Sequence, residues 1–126
     1  MLKKLIVQFK KLSPDIAHVQ YVAPGFIPII AARLASIKKV IATVHQPGRI
    51  YGRKAKLILR FGARLCNLFI CVSKSAEESW FGDSAFFDPD LFKKGRKHFT
   101  IYNAVDTERI VREAGSENVA PLRTSL

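Results

Sequence analysis

An α/β architecture with a small parallel sheet and helices on both faces is what two features of the sequence imply. Short β-rich runs alternate with helix-length amphipathic runs along the whole chain, the pattern of βαβ units. One of the β-rich runs, "LFICV" at Leu68–Val72, is apolar throughout, as a strand covered on both faces must be. The 126 residues suit one domain with a modest core.

Leu2, Leu5, Ile6, Phe9 and Leu12 fall at helical spacing with lysines opposite, so the chain should open with a helix that Pro14 stops. Asp15–Val19 then reads as a strand. "YVAPGF" is a loop in which Gly25 can supply a positive φ. Pro28 suits the first turn of a helix running to Ile37, with Ile29, Ala32, Arg33 and Ser36 on a face small enough for close packing. Lys39–His45 is the second strand. After the Pro47-Gly48 turn, Tyr51–Cys66 is a helix whose Leu57, Phe61 and Leu65 should face the core. Leu68–Val72 is the third strand. Ser75 and Glu78 have capping-box spacing and should start a short helix that ends near Gly82. Asp83–Lys97 reads as irregular. His98–Tyr102 is a last strand, "NAVD" a turn, and Thr107–Ala114 a terminal helix. Residues 1–114 thus form the domain and 115–126 a linker or tail.

The formal charge of +11 is unevenly placed. Met1–Cys66 holds thirteen Lys/Arg against one acid, Asp15, whereas Asn67–Leu126 holds eight against nine. A cationic half beside a nearly neutral one implies an anionic partner: phosphate groups, nucleic acid or an acidic membrane surface. Cys66 and Cys71 have neither CxxC spacing nor a neighbouring histidine, so they read as reduced core thiols of a cytosolic protein. The apolar run in "MLKKLIVQFKKL" is too broken for a secretory signal, and none is long enough to span a bilayer. His18, His45 and His98 are scattered over three strands without metal-ligand spacing, so no metal is expected. There is no dinucleotide fingerprint, P-loop or G-x-S-x-G.

Two features remain as candidates for function. His45 ends a strand, and in parallel sheets ligands bind at the carboxyl ends of strands. It either caps the strand through a neighbouring backbone group or faces a cleft and bonds a hydroxyl or phosphate. Beyond it, Arg53, Lys56, Arg60 and Arg64 recur at three- and four-residue spacing and form one stripe. Arg53, Lys54 and Lys56 also crowd the start of that helix, where the dipole disfavours cations and an external anion would offset the conflict. A solvated basic face is the plainer account of the same residues.

The runs "SPDIAHVQ", "AARLASIKKVIATVHQPGR", "LFICVSKSAEESW" and "HFTIYNAVDTERI", in that order, resemble family 4 glycosyltransferases. The resemblance covers Leu5 to Ile110 and is to the N-terminal, acceptor-side domain of their GT-B fold. It implies a Rossmann-like parallel sheet. It also implies that His45, at the end of the "VxTxH" strand, contacts the transferred sugar as the catalytic histidine. Gln20, Tyr21 and Gly25, in the loop after the "PDIxHxx" strand, would bind the acceptor. Arg49 joins Arg53, Lys56, Arg60 and Arg64 as an anion or membrane contact. Val72–Ser75 matches the "VSxS" element, and Ile101–Asp106 the turn that closes the domain.

The departures carry expectations of their own. Gln20 stands where many members have the second histidine of an H-x-H pair, and Ala104 where many have glycine. The family's first βα units, with their glycine-rich loop, and its C-terminal donor domain, with its E-x7-E signature, have no counterpart in these residues. The strand at Asp15–Val19 should then lie at a sheet edge. The implied function is hexosyl transfer from a nucleotide-sugar to the hydroxyl of a sugar or lipid-linked acceptor, with this chain an acceptor-side part that is inactive alone. The nucleotide-sugar would be held only by a C-terminal domain or a separate C-terminal half, and no cofactor is expected. A cytoplasmic location follows, with peripheral attachment at the inner face of the membrane left open. The alternatives are a non-enzymatic basic module that binds nucleic acid or membrane, and a scaffold subunit of a split glycosyltransferase.

Overall fold

The computed structural model describes residues 1–21, 26–104 and 106–116. Strands β1 (Ile16–Tyr21), β2 (Lys39–Val44), β3 (Leu68–Cys71) and β4 (His98–Thr100) form one sheet in the order β1-β2-β3-β4, with every pair parallel. Helices α1 (Leu2–Leu12), α2 (Ile27–Leu34), α3 (Arg53–Leu65), α4 (Lys74–Phe81), α5 (Pro89–Lys93) and α6 (Thr107–Ser116) lie between and around them. The architecture is the expected α/β, Rossmann-like sheet.

Strand order that follows chain order, joined by right-handed crossovers, puts the connecting helices on one face. The core lies there. Ile29, Ala31 and Ala32 of α2, Leu59 and Ala63 of α3, and Ala76 and Trp80 of α4 are buried together with Ala17, Val40, Ala42, Val44, Phe69 and Cys71, which occupy alternate strand positions. The opposite face is covered mainly at the β4 side. There Phe99 packs against Phe87 and against Phe92 of α5, at ring-centroid distances of 5.2 and 6.5 Å. At β1 the same face is open: Ile16 is 49% exposed, and His18 and Gln20 are exposed. Among the described residues β1 pairs only with β2, so it is the expected edge strand.

Several local expectations change. The core side of α3 is Leu59, Gly62 and Ala63, while Leu57 and Phe61 are 66% and 52% exposed. Small residues won because the helix sits close: a Cβ on Gly62 would lie 3.1 Å from Phe26 Cβ. Helix α2 ends at Leu34 rather than Ile37, with Ser36 turning through φ 65°. Arg33 donates to the carbonyls of Leu65 (2.6 Å), Ile37 (3.2 Å) and Lys38 (3.0 Å) and to Asn67 Oδ1 (2.7 Å). It thereby ties the end of α2 to the end of α3. The cap of α4 is Ser73, whose side chain accepts from the Ala76 N–H at 3.1 Å. Ser73 is extended (φ −157°, ψ 156°), as an N-cap requires, so Ser75 falls inside the first turn and no box with Glu78 forms. Within 83–97, expected to be irregular, Asp88 caps α5 by accepting from the N–H groups of Asp90 and Leu91, and Pro89 opens it.

Both cysteines are fully buried, and burial raises the Cys66 thiol to about 11 against the pull of Arg33 and Lys97. Burial also pushes Cys71 upward, and the nearby Glu77 charge adds to it. Neither thiol is therefore a nucleophile at neutral pH, in keeping with core thiols.

Glu77 of α4 carries the main polar contact of the interior. Its carboxylate is fully buried. Oε1 accepts from His98 Nδ1 (2.7 Å) and Arg96 Nη2 (2.9 Å), and Oε2 from Thr100 Oγ1 (2.6 Å) and the Ala85 N–H (3.2 Å). Burial alone would raise its pKa. The bonds from His98, Thr100, Arg96 and Ala85 outweigh that and hold it below 4.5. A depressed carboxylate stabilises the fold above its unfolded value, and the stabilisation is lost as pH falls through the folded value. Replacing Glu77 with Gln should cost about 3–5 kcal/mol at neutral pH, the cost of breaking a buried pair. In urea unfolding at stepped pH, the gap between wild type and Glu77→Gln should shrink only below pH 4.5. A gap constant down through acid pH would show that the charge on Glu77 contributes nothing.

Candidate active site

The carboxyl ends of β1 and β2 bring four polar side chains together on the open face. The register pairs His18 with Ile41 and Gln20 with Thr43, so His18, Gln20, Thr43 and His45 share the side away from the core. His45 Nε2 lies 3.1 Å from Gln20 Oε1, Gln20 Nε2 3.4 Å from His18 Nε2, and His18 Nε2 2.8 Å from Thr43 Oγ1. An amide oxygen can only accept, so in this contact His45 Nε2 is the donor. His45 therefore does not cap the strand. It is exposed, and its partner is a side chain of the neighbouring strand.

The turn that follows His45 is held from α4. Trp80 Nε1 donates to the Gln46 carbonyl at 2.7 Å, Ser79 Oγ accepts from the Gly48 N–H, and the Tyr51 ring stacks on Trp80 at 5.1 Å. The Tyr51 hydroxyl donates back to Gln46 Oε1. Residues 48–50 make one 3-10 turn against the buried indole. These anchors escaped sequence reading because a lone tryptophan in an aromatic-rich run gives no sign of which turn it will support. Trp80 is 1% exposed, so it cannot offer apolar contact to a surface, whereas Phe86, Phe87 and Phe92 are about half exposed.

Of the expected acceptor residues, Gln20 joins His45. Tyr21 ends β1, and Gly25 lies outside the described residues. The cations do not converge on His45. Arg49 is exposed on the 3-10 turn just beyond it. Arg53 is exposed at the start of α3, Lys56 is half-buried, and Arg60 and Arg64 continue to the far end of the sheet. Arg60 Nε donates to the Trp80 carbonyl at 2.7 Å, and the Arg64 carbonyl accepts from Lys97 Nζ at 3.0 Å. The first turn of α3 has no acid and its N-cap, Gly52, offers no side-chain bond, so the dipole conflict stands.

Residues 1–109 match the profile of Glycosyltransferase Family 4. The chain belongs to this family, and its function is of the glycosyltransferase type. No curated protein matches it.

Gly48 gives the test of the turn. A Cβ there would meet Trp80 Cδ2 at 2.7 Å, Trp80 Cε3 at 2.9 Å and the Ser79 carbonyl at 3.0 Å, while one on Gly52 would meet nothing within 4 Å. Gly48→Ala should lose about 1–3 kcal/mol in urea unfolding, the range for overpacking. Gly52→Ala should lose less, and equal losses would mean that the indole does not confine the turn.

Proposed function

We propose that this chain forms the acceptor side of an enzyme that passes a hexosyl group from a nucleotide-sugar to an acceptor hydroxyl. His45 positions the transferred sugar. The observation that carries this is the His45–Gln20 pair at the carboxyl ends of two adjacent parallel strands. An imidazole that donates through Nε2 to Gln20 keeps Nδ1 as an acceptor for a sugar hydroxyl, and the Gln20 contact reduces the ordering that binding requires. Gln20 supports that orientation from the place where many family members have histidine. Donor binding belongs to a C-terminal half, joined or separate, so these 126 residues should transfer no sugar by themselves.

The test is a transfer assay of the purified chain with and without a donor-binding half. Turnover should require the half, and His45→Ala should lower it by about 100-fold, as expected for lost positioning. Robust turnover by the chain alone, or by His45→Ala in the assembled pair, would overturn this reading.

The cationic half suits recruitment of an anionic acceptor or of the membrane that carries it. The exposed side of α3 supports this, since Leu57, Ile58 and Phe61 stand in solvent beside Arg53, Arg60 and Arg64. Apolar side chains flanked by cations are the signature of interfacial helices. No helix among the described residues is long and apolar enough to cross a membrane. Each cation near an anionic bilayer contributes about 1 kcal/mol. The chain should sediment with vesicles containing anionic lipid, not with neutral ones, and should be released by high salt. Changing Arg53, Lys56, Arg60 and Arg64 to Gln should weaken binding. No effect of the four changes would reduce the stripe to a solvated face, and tighter binding to nucleic acid would favour a nucleic-acid module.

A further inference from the structure

At the end of the sheet opposite His45, a concavity of about 290 Å³ opens between α3, the end of α4 and the start of β4. Its lining is Arg60, Ala63, Arg64, Phe81, Lys97 and His98. Three of these six are permanent cations, and among the described residues none of the three is paired with a carboxylate. Among the described residues no acid lines the space. The acid nearest to His98 Nε2 from outside is Asp83, at 3.9 Å, and Arg96 Nη1 already engages it at 2.6 Å.

Two of the cations are held rather than free to swing apart. Arg60 is fixed through Nε by the Trp80 carbonyl, which leaves its two terminal nitrogens, and Lys97 is fixed through one donor by the Arg64 carbonyl. Capping of helix carbonyls accounts for one bond from each and leaves the remaining donors unused. One wall is flat and apolar, because Phe81 stacks on His98 with centroids 4.0 Å apart and planes 3° from parallel. That stacking and the bond from Nδ1 to Glu77 fix the imidazole in place.

We infer that this concavity is a binding site for a phosphate group, carried by a small molecule or a lipid headgroup, with Arg60, Arg64 and Lys97 as its ligands. Anchored like charges around one space repel each other, and an anion relieves the repulsion while collecting charge-assisted hydrogen bonds from all three. A multiply charged oxyanion matches three cations better than a carboxylate does. The volume lies near the lower end for ligand pockets, about 300 Å³, which leaves room for a phosphate and a small body stacked on Phe81. The inference does not rest on the sugar-transfer reading. It concerns the other end of the sheet, and its test reads binding rather than turnover.

The experiment compares the intact chain with two double variants of equal charge, Arg64→Gln/Lys97→Gln in the concavity and Arg53→Gln/Lys56→Gln at the other end of α3. Circular dichroism confirms that each is folded. Inorganic pyrophosphate is titrated by calorimetry at physiological salt, and in a second arm vesicles of phosphatidylcholine with phosphatidic acid are titrated. Pyrophosphate affinity should fall about tenfold or more in the concavity variant, as expected for lost charge-assisted bonds, and far less in the other. That result identifies a soluble phosphate ligand. If pyrophosphate does not bind but vesicle affinity falls more in the concavity variant than in its charge-matched control, the phosphate is a lipid headgroup. Equal losses in the two variants, or no binding in either arm, would overturn the inference.

Discussion

The buried carboxylate of Glu77 is the constraint on which the rest of the arrangement depends. Strand β4 has only three residues, and a ladder that short cannot hold a strand by backbone pairing alone. Glu77 holds it through side chains, taking bonds from His98 and Thr100 of β4 and from Arg96 just before it. The same carboxylate accepts the Ala85 N–H, and the Ala85 carbonyl accepts from Thr100, so the segment after α4 is drawn along the outer edge of β4. Fixing α4 in this way fixes Trp80 and Ser79, and they hold the turn at 46–51. His45 stands at the start of that turn. The placement of the turn that follows His45 at one end of the sheet thus depends on a buried ion pair at its other side.

Strand order explains why the candidate site is open. Crossovers that always step the same way stack α2, α3 and α4 on one face. Among the described residues the other face is covered mainly by the aromatic cluster around Phe99 and is open at β1. Apolar residues there, Ile16 above all, remain in contact with water. The polar set His18, Gln20, Thr43 and His45 occupies the same face toward the strand ends. Two requirements therefore meet on one surface: strand ends accessible to ligand, and a sheet edge with no partner among the described residues.

The sequence revealed the elements better than it revealed their orientations. The four strands and most of the helices were readable because periodicity and turn residues act locally. Which side of α3 faces inward was not, because two stripes compete on that helix. Leu57, Phe61 and Leu65 carry more apolar surface, but Leu59, Gly62 and Ala63 permit closer approach to α2, and that distance is a tertiary property. Ser75 and Ser73 differ as caps only in where β3 ends. Asp88-Pro89 is a local start signal for α5, but the helix it opens is only five residues long and has no periodicity to mark it. His45 was visible as a strand end in the sequence. Its bond to Gln20 depends on the register of β1 against β2, which no local pattern specifies.

The charge asymmetry also gains a structural meaning. Five ion pairs lie between Glu77 and His98, where acids neutralise the cations of their own half. Among the described residues the cations of Met1–Cys66 have no such partners. Arg33 and Arg60 spend donors on carbonyls, which satisfies hydrogen bonds without cancelling charge. The field of the molecule is therefore set by α1 and α3, and α3 carries it from the candidate active site to the opposite end of the sheet. Screening confines that field to about 8–10 Å at physiological salt. Its action is accordingly local. It cannot gather ligands from far away, but it can decide which face of the protein meets an anionic surface once the two are close. On α3 that face also presents Leu57 and Phe61, so attraction and apolar contact would act at the same place.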